Sequence, residues 1–365
     1  MIKDREAAMW DKIVPTLRRK ANSLKGHLPA QKWRSTMKDY DVVLASGAEH
    51  LKARFEDFGY KVFTSNLNYD SRRLFPNADL YARIGRIEEL SNRKVVVIQS
   101  CTGAGPAELE RYSTSDRVLE LLLLLDVLAN PVIVEKIAHK KFKETPIPPP
   151  SRIEVVLTFQ PFALQDKAFL TGEAASSRWA TRQIAHACDK IWVVNPHAPD
   201  FLPWVKELSD KGQYEEIDII PDLIDFGREQ FGFTDCLVVT PDEGARQRYD
   251  IEGFGKSRTS SYCVELHGDL DVKGREVIVI DDLTKSGSTL LKASERLYGL
   301  GAKDVGLAVA HVLPLMDRGE KLLEALVSKS KGRIVTSNTV RTNVFCEEEP
   351  ELTYNIVDTL VRILK

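Results

Sequence analysis

Apolar positions along the chain fall into short runs separated by segments of helical period. Val42–Ala45, Tyr60–Thr64, Lys94–Ile98, Ile153–Thr158 and Lys190–Val194 read as strands, rich in β-branched and aliphatic residues. His50–Phe58, Ser113–Leu128 and Ser176–Ala187 lie between them with helical spacing. The second half repeats the scheme: a helix at Asp222–Gln230, strands at Cys236–Val239, Glu276–Ile280 and Val305–Ala310, and helices at Leu290–Leu300 and Tyr354–Leu364. Alternation of this kind predicts an α/β fold built on mainly parallel sheets flanked by helices. In residues 1–38, Trp10, Ile13, Val14, Leu17 and Leu24 share one helical face. That stretch reads as a helical extension with a solvated basic side and no assigned chemistry. Lys140–Pro150, with its proline run, reads as a loop.

The two halves carry an internal repeat. Val96–Gly105 lines up with Ile278–Gly287: a strand, then a Thr/Gly loop, then a helix. The first copy has Gln99-Ser100 where the second has Asp281-Asp282. The polar, turn-rich Ser209–Gln213 suggests a boundary between Leu202 and Glu216. The expected units are therefore the extension 1–38, a first domain 39–208 with a degenerate loop, and a second domain 209–365 with an intact one.

Composition narrows the function. The chain has 365 residues, enough for about two domains. Lys+Arg is 51 and Asp+Glu 53, so a formal charge of −2 gives no footprint for nucleic acid. Neither nucleic acid nor a membrane is expected as a partner: the longest apolar run, Val118–Ala129, is broken by Glu120 and Asp126. Met1–Trp10 is charged, so no secretory signal is expected, and five scattered cysteines suit a reducing cytoplasm.

The candidate chemistry gathers on the stretch Glu276–Leu290. A β-branched strand runs into Asp281 and Asp282, and a polar loop follows: Thr284, Lys285, Ser286, Gly287, Ser288 and Thr289. Loop and helix-start N–H groups can bind a phosphate, and the acids beside them can hold sugar hydroxyls or a metal ion. Gly-Lys-[Ser/Thr] is absent, so this is no Walker A loop. Pro241-Asp242-Glu243-Gly244 ends another strand and is either a ligand-facing turn or a plain polar one. His197 follows Ile191–Val194; it is structural unless its imidazole meets Asp242 around Mg²⁺. Lys256 and Arg258 share one side of a glycine-containing loop. They either close over a polyphosphate or are simply solvated.

The Glu276–Leu290 stretch resembles the phosphoribosyl-pyrophosphate (PRPP) loop of the phosphoribosyltransferase superfamily. Over about residues 72–310 the motifs, in order, resemble those of the ribose-phosphate diphosphokinases. Leu74–Asp79 is similar to the family's Phe-x-Asp-Gly-Glu segment, Phe162–Lys167 to Tyr-Ala-Arg-Gln-Asp-Arg, and Val194–Pro199 to Asp-Leu-His-Ala. Pro241–Ala245 and Asp281–Thr289 look more like the plant-type class II enzymes than class I. Departures are Leu164 in place of a nucleotide-contacting Arg, Asn77-Ala78-Asp79 for Asp-Gly-Glu, and Lys285 and Ser288 in the loop. The resemblance implies two tandem phosphoribosyltransferase-like domains and pyrophosphoryl transfer from ATP to ribose 5-phosphate. It implies catalytic roles for Lys256 and Arg258, ribose 5-phosphate binding by Asp281, Asp282 and residues 284–289, and Mg²⁺ held by His197 and Asp242. It further implies nucleotide contacts from Phe75, Asn77, Asp79, Gln165 and Asp166, and a homo-oligomer built from dimers. A non-catalytic associated subunit and a PRPP-consuming phosphoribosyltransferase are the alternatives; retention of the cations and acids counts against the first, and the duplication against the second.

Overall fold

The computed structural model describes residues 38–103, 112–197, 202–241, 272–313 and 319–364. Strands β1 (Tyr40–Leu44), β2 (Val62–Thr64) and β3 (Lys94–Ser100) come first, then a hairpin of β4 (Val132–Ala138) and β5 (Lys141–Pro146). β6 (Arg152–Phe159), β7 (Lys190–Val194) and β8 (Tyr214–Ile217) follow. Apart from the hairpin these strands form a parallel sheet in the order β2-β1-β3-β6-β7-β8. A second parallel sheet has the order β9-β10-β11-β12-β13, from β9 (Cys236–Val239), β10 (Glu276–Thr284), β11 (Asp304–Val312), β12 (Ile334–Ser337) and β13 (Thr353–Tyr354). With β2 set aside, the two sheets match strand for strand, so β3 corresponds to β10 and β7 to β12.

The strand runs are almost wholly apolar because both faces are covered. Val95 and Val97 of β3 pack with α2 (Thr114–Ala129), α3 (Ser176–His186) and α4 (Pro203–Asp210). Val96 and Ile98 face the opposite way, into a core shared with Ile278 and Ile280 of β10. That shared core also holds Phe55 of α1 (Lys52–Asp57), Leu223 of α5 (Ile220–Phe231) and Leu360 of α8 (Val357–Ile363). Val277 and Val279 pack on the outer side with α6 (Ser288–Gly299) and α7 (Gly319–Lys329). Gly306 of β11 is forced by this arrangement: a Cβ there would lie 2.3 Å from the Phe231 ring on α5. α2 starts at a capping box, in which Asp116 N–H donates to Ser113 Oγ at 3.1 Å and Ser113 N–H to Asp116 Oδ2 at 2.7 Å. Among the described residues no helix is long and apolar enough to cross a membrane.

Four expectations change. Lys140–Pro150 is not simply a loop, since β5 pairs with β4. Both strands are largely exposed, so no buried alternation marks them, and Lys140 makes the turn at φ 54°. Ser209–Gln213 is the turn from α4 into β8, closed by Gly212 at φ 69°, so the chain leaves the first sheet only after Ile217. β10 runs through both acids to Thr284, because Leu283 and Thr284 still pair with His311 and Val312. Tyr354 belongs to β13, opposite Ser337, and the final helix begins only at Val357.

Two of these features have measurable consequences. His50 Nε2–H donates to Asn338 O at 2.7 Å, tying the first sheet's side to the second, while its Nδ1 is buried without a hydrogen-bond partner among the described residues. Burial pushes its pKa down from 6.5 to about 4. His50 is therefore neutral when folded, and stability is full above pH 6.5 and falls below it at up to about 1.4 kcal/mol per pH unit. Denaturant unfolding should give a lower free energy at pH 5 than at pH 7, and His50→Gln should shrink that difference; an unchanged difference refutes the assignment. Gly287, between β10 and α6, has φ 69°, and a Cβ would meet Leu326 Cδ1 at 2.3 Å. Gly287→Ala should cost ~2–4 kcal/mol, from left-handed strain and overpacking. Leu326→Ala should relieve part of it in a double-mutant cycle, whereas strict additivity would show that the clash is not felt.

Candidate active site

The carboxyl ends of the two sheets meet, which is where parallel sheets bind ligands. His311, on β11, is the hinge-pin of that meeting. Its Nε2 faces Val194 O and Asn195 O at 3.2 Å each, so Nε2 carries the proton and Nδ1 accepts from the Thr339 hydroxyl at 2.8 Å. Its ring stands edge-on to Phe159, with centroids 5.1 Å apart. Burial lowers its pKa, so it is a neutral donor. Thr158 Oγ1 donates to Thr339 O at 2.8 Å alongside. Phe159, Ala163, Leu313 and Val340 close the seam with a small apolar cluster.

Beyond Val194 the chain turns at Asn195, a non-glycine residue at φ 35°. Its side chain holds the turn, with Oδ1 accepting from Ile219 N–H at 2.9 Å and Nδ2 donating to Asp218 at 2.7 Å. Asn338 does the same after β12, accepting from Ile356 N–H at 2.8 Å. Each asparagine also donates its backbone N–H to the next strand, Asn195 to Ile217 O and Asn338 to Tyr354 O. Neither asparagine, nor His311, was singled out from the sequence. The recurrence of Val193-Val194-Asn195 as Thr336-Ser337-Asn338 at the ends of matching strands is the signal that marks them.

The turn delivers His197 to Asp282, with Nδ1 and Oδ2 at 2.7 Å. Asp282 is 4% exposed and Asp281 9%. Successive strand residues alternate faces, so Asp282 shares the shared-core face with Ile278 and Ile280, and Asp281 the other. Asp282 Oδ1 accepts from Leu283 N–H at 2.9 Å, and Asp281 Oδ1 from Asp282 N–H at 3.0 Å. The loop then closes on itself. Thr284 Oγ1 accepts from Gly287 N–H at 2.9 Å, Ser286 Oγ donates to Ser288 Oγ at 3.2 Å, and Leu313 N–H holds Thr284 O at 2.8 Å. α6 has no side-chain cap, so its first-turn N–H groups remain available to an anion. Lys285 and Thr289 flank this opening, both on its exposed side.

The corresponding place in the first sheet is filled from within. Gln99 Oε1 accepts from Gly47 N–H at 2.9 Å, and Gln99 Nε2 donates to Glu120 at 3.0 Å. Ser46 N–H also donates to Glu120, at 3.2 Å. A Cβ on Gly47 would lie 2.5 Å from Ser100 O, so glycine is needed for this closure.

Phe75, Asn77 and Asp79 form a surface turn. Phe75 lies between Tyr69 and Tyr81, with centroids 6.4 and 5.8 Å away, and Asn77 Nδ2 donates to Asp79 at 2.6 Å. Gln165 Nε2 donates to Glu173 at 2.8 Å, and Asp166 O accepts from Trp204 Nε1 at 3.3 Å. Among the described residues no hydrogen bond or ion pair joins either group to the other or to the 284–289 loop. Asp242, Lys256 and Arg258 lie outside the described residues. Among those described, no cluster of three or more His, Cys, Asp or Glu could hold a metal by itself. One or two protein groups beside substrate phosphates nonetheless suit Mg²⁺, which keeps several waters.

The chain has known counterparts. The phosphoribosyl transferase domain family matches residues 245–350. The ribose-phosphate pyrophosphokinase of Methanosarcina mazei is 30% identical over 261 residues, covering 68% of this chain and 73% of its own. That of Thermococcus kodakarensis is 26% identical over 312 residues, 83% of this chain and 95% of its own. The crystal structure of phosphoribosylpyrophosphate synthetase from Mycobacterium smegmatis matches with a TM-score of 0.62 at 22% identity, over 90% of this chain and 98% of that one, which shows a common fold. With a relative 30% identical and covered over 73% of its own length, the chain belongs to the ribose-phosphate pyrophosphokinase family.

Proposed function

We propose that the chain transfers the β,γ-pyrophosphoryl group of ATP to the 1-hydroxyl of ribose 5-phosphate, giving PRPP and AMP. Family membership supports the reaction. The observation that carries the site is the uncapped start of α6 behind Gly287, with Asp282 fixed beside it. The 5-phosphate lies on the first-turn N–H groups and the hydroxyls of Thr284, Ser286, Ser288 and Thr289, with Lys285 adding charge. Asp281 and Asp282 accept from the ribose hydroxyls. The anomeric oxygen attacks the β-phosphorus, the bond from that phosphorus to the α,β-bridging oxygen breaks, and AMP leaves with the electron pair while the hydroxyl proton passes to solvent water. Lys256 and Arg258 neutralise the charge that grows on the transferring group and on AMP. His197 and Asp242 would hold Mg²⁺, which when bound would neutralise phosphate-oxygen charge and ease the approach of the nucleophile. Phe75, Asn77, Asp79, Gln165 and Asp166 form the nucleotide side.

Within this reading the first sheet and its helices form a nucleotide-side domain and the second a sugar-phosphate domain, joined at Asp218–Ile219. The likeness of Pro241–Ala245 and Asp281–Thr289 to class II enzymes supports reading the chain as one of that subclass, and the proposal has it working in the cytoplasm as a homo-oligomer built from dimers.

Phosphorus NMR of the purified protein with ATP, Mg²⁺ and ribose 5-phosphate should show AMP and PRPP forming together. Lys256→Ala should lose roughly 10²–10³-fold in rate with sugar-phosphate affinity kept. Ligand binding without turnover would instead identify a non-catalytic subunit, and an equal fall in affinity would give Lys256 a ground-state role. Class II character predicts a rate little changed by added inorganic phosphate; strong activation by phosphate would contradict it.

A further inference from the structure

Asp282 is held at both oxygens before any substrate arrives. Oδ1 takes the N–H of Leu283 at 2.9 Å, and Oδ2 faces His197 Nδ1 at 2.7 Å. A carboxylate can only accept, so Nδ1 carries the proton. His197 itself is presented by the Asn195 turn. That turn is fastened from the first sheet's side by Asp218 and Ile219, and from the second sheet by His311. A nearly buried carboxylate otherwise has several rotamers to choose from, and fixing one removes an ordering cost from binding.

We infer that His197 is a positioning residue for Asp282: through Nδ1–H, the first half of the molecule orients the sugar-hydroxyl acceptor of the second half, independently of metal and nucleotide. The inference rests on Asp282 being a ribose-hydroxyl acceptor, as proposed above. It gives His197 a role in sugar binding without contact with the sugar, distinct from any role at Mg²⁺.

The two nitrogens of the imidazole can be separated by substitution. An Asn side chain places an N–H donor near the Nδ1 position, whereas Gln reaches toward the Nε2 position. Calorimetric titration of ribose 5-phosphate into the full chain, with EDTA present and no nucleotide, reads the effect directly. His197→Asn should bind within about threefold of wild type, while His197→Gln and His197→Ala should bind about tenfold more weakly, the size expected for one charge-assisted hydrogen bond. Thermal melts of the same variants separate misfolding from the specific loss, since a purely structural role would not be rescued by Asn alone. If Asp282→Asn weakens binding while all three His197 variants bind as wild type, the positioning role is overturned and the hydroxyl-acceptor reading survives. If Asp282→Asn binds as wild type, that reading falls and the inference with it.

Discussion

Two carbonyl oxygens at the exit of β7 determine how the halves of this protein meet. Val194 O and Asn195 O have run out of sheet partners on that side, and a buried carbonyl without a donor is costly. His311, reaching across from β11, supplies one N–H to both. Because its other nitrogen is held by Thr339, the imidazole is fixed in tautomer and plane. The site follows from that constraint. The turn so held carries His197, and His197 meets Asp282 near the end of the strand that leads into the 284–289 loop. A shift of the seam would move the imidazole away from the carboxylate.

The two matching strand ends, Gln99-Ser100 and Asp281-Asp282, are used differently. In both halves a strand ends at an asparagine that closes the next crossover. In the second, the β10 loop leaves Asp282 and the start of α6 turned to the crevice. In the first, Gln99 takes the position of Asp281, and its amide is consumed by Gly47 and Glu120. Glu120 already provides the negative charge there, drawing the Ser46 N–H to itself. The first copy therefore engages the Gln99 amide internally, whereas the second presents a carboxylate at the crevice.

Much of this was legible in the sequence, for a physical reason. Strands buried on both faces read as unbroken β-branched runs, so β3, β7, β9 and β10 stand out. The acidic pair and Gly287 mark the loop because few other residues tolerate that place. The hairpin β4–β5 escaped notice because its exposed strands carry charges on both faces. β8 escaped because a polar turn looks the same inside a domain as between domains. The contact of His197 with Asp282 was not foreseen, because spacing along the chain cannot show that β7 and β10 end face to face. The expected meeting of His197 with Asp242 involves a residue outside the described ones. The seam residues His311, Asn195 and Thr339 are individually unremarkable in sequence, and only the matching strand order of the two sheets gives them meaning.

On the proposed function, the Thr284–Thr289 loop and the exit of β7 act as one site across the seam. Hydrogen exchange with and without ribose 5-phosphate, in the absence of nucleotide, tests it most directly. The account predicts added protection both at Asp281–Leu291 and at Val193–His197, on the opposite sheet. Protection confined to the Asp281–Leu291 segment, with Val193–His197 unchanged, would contradict it.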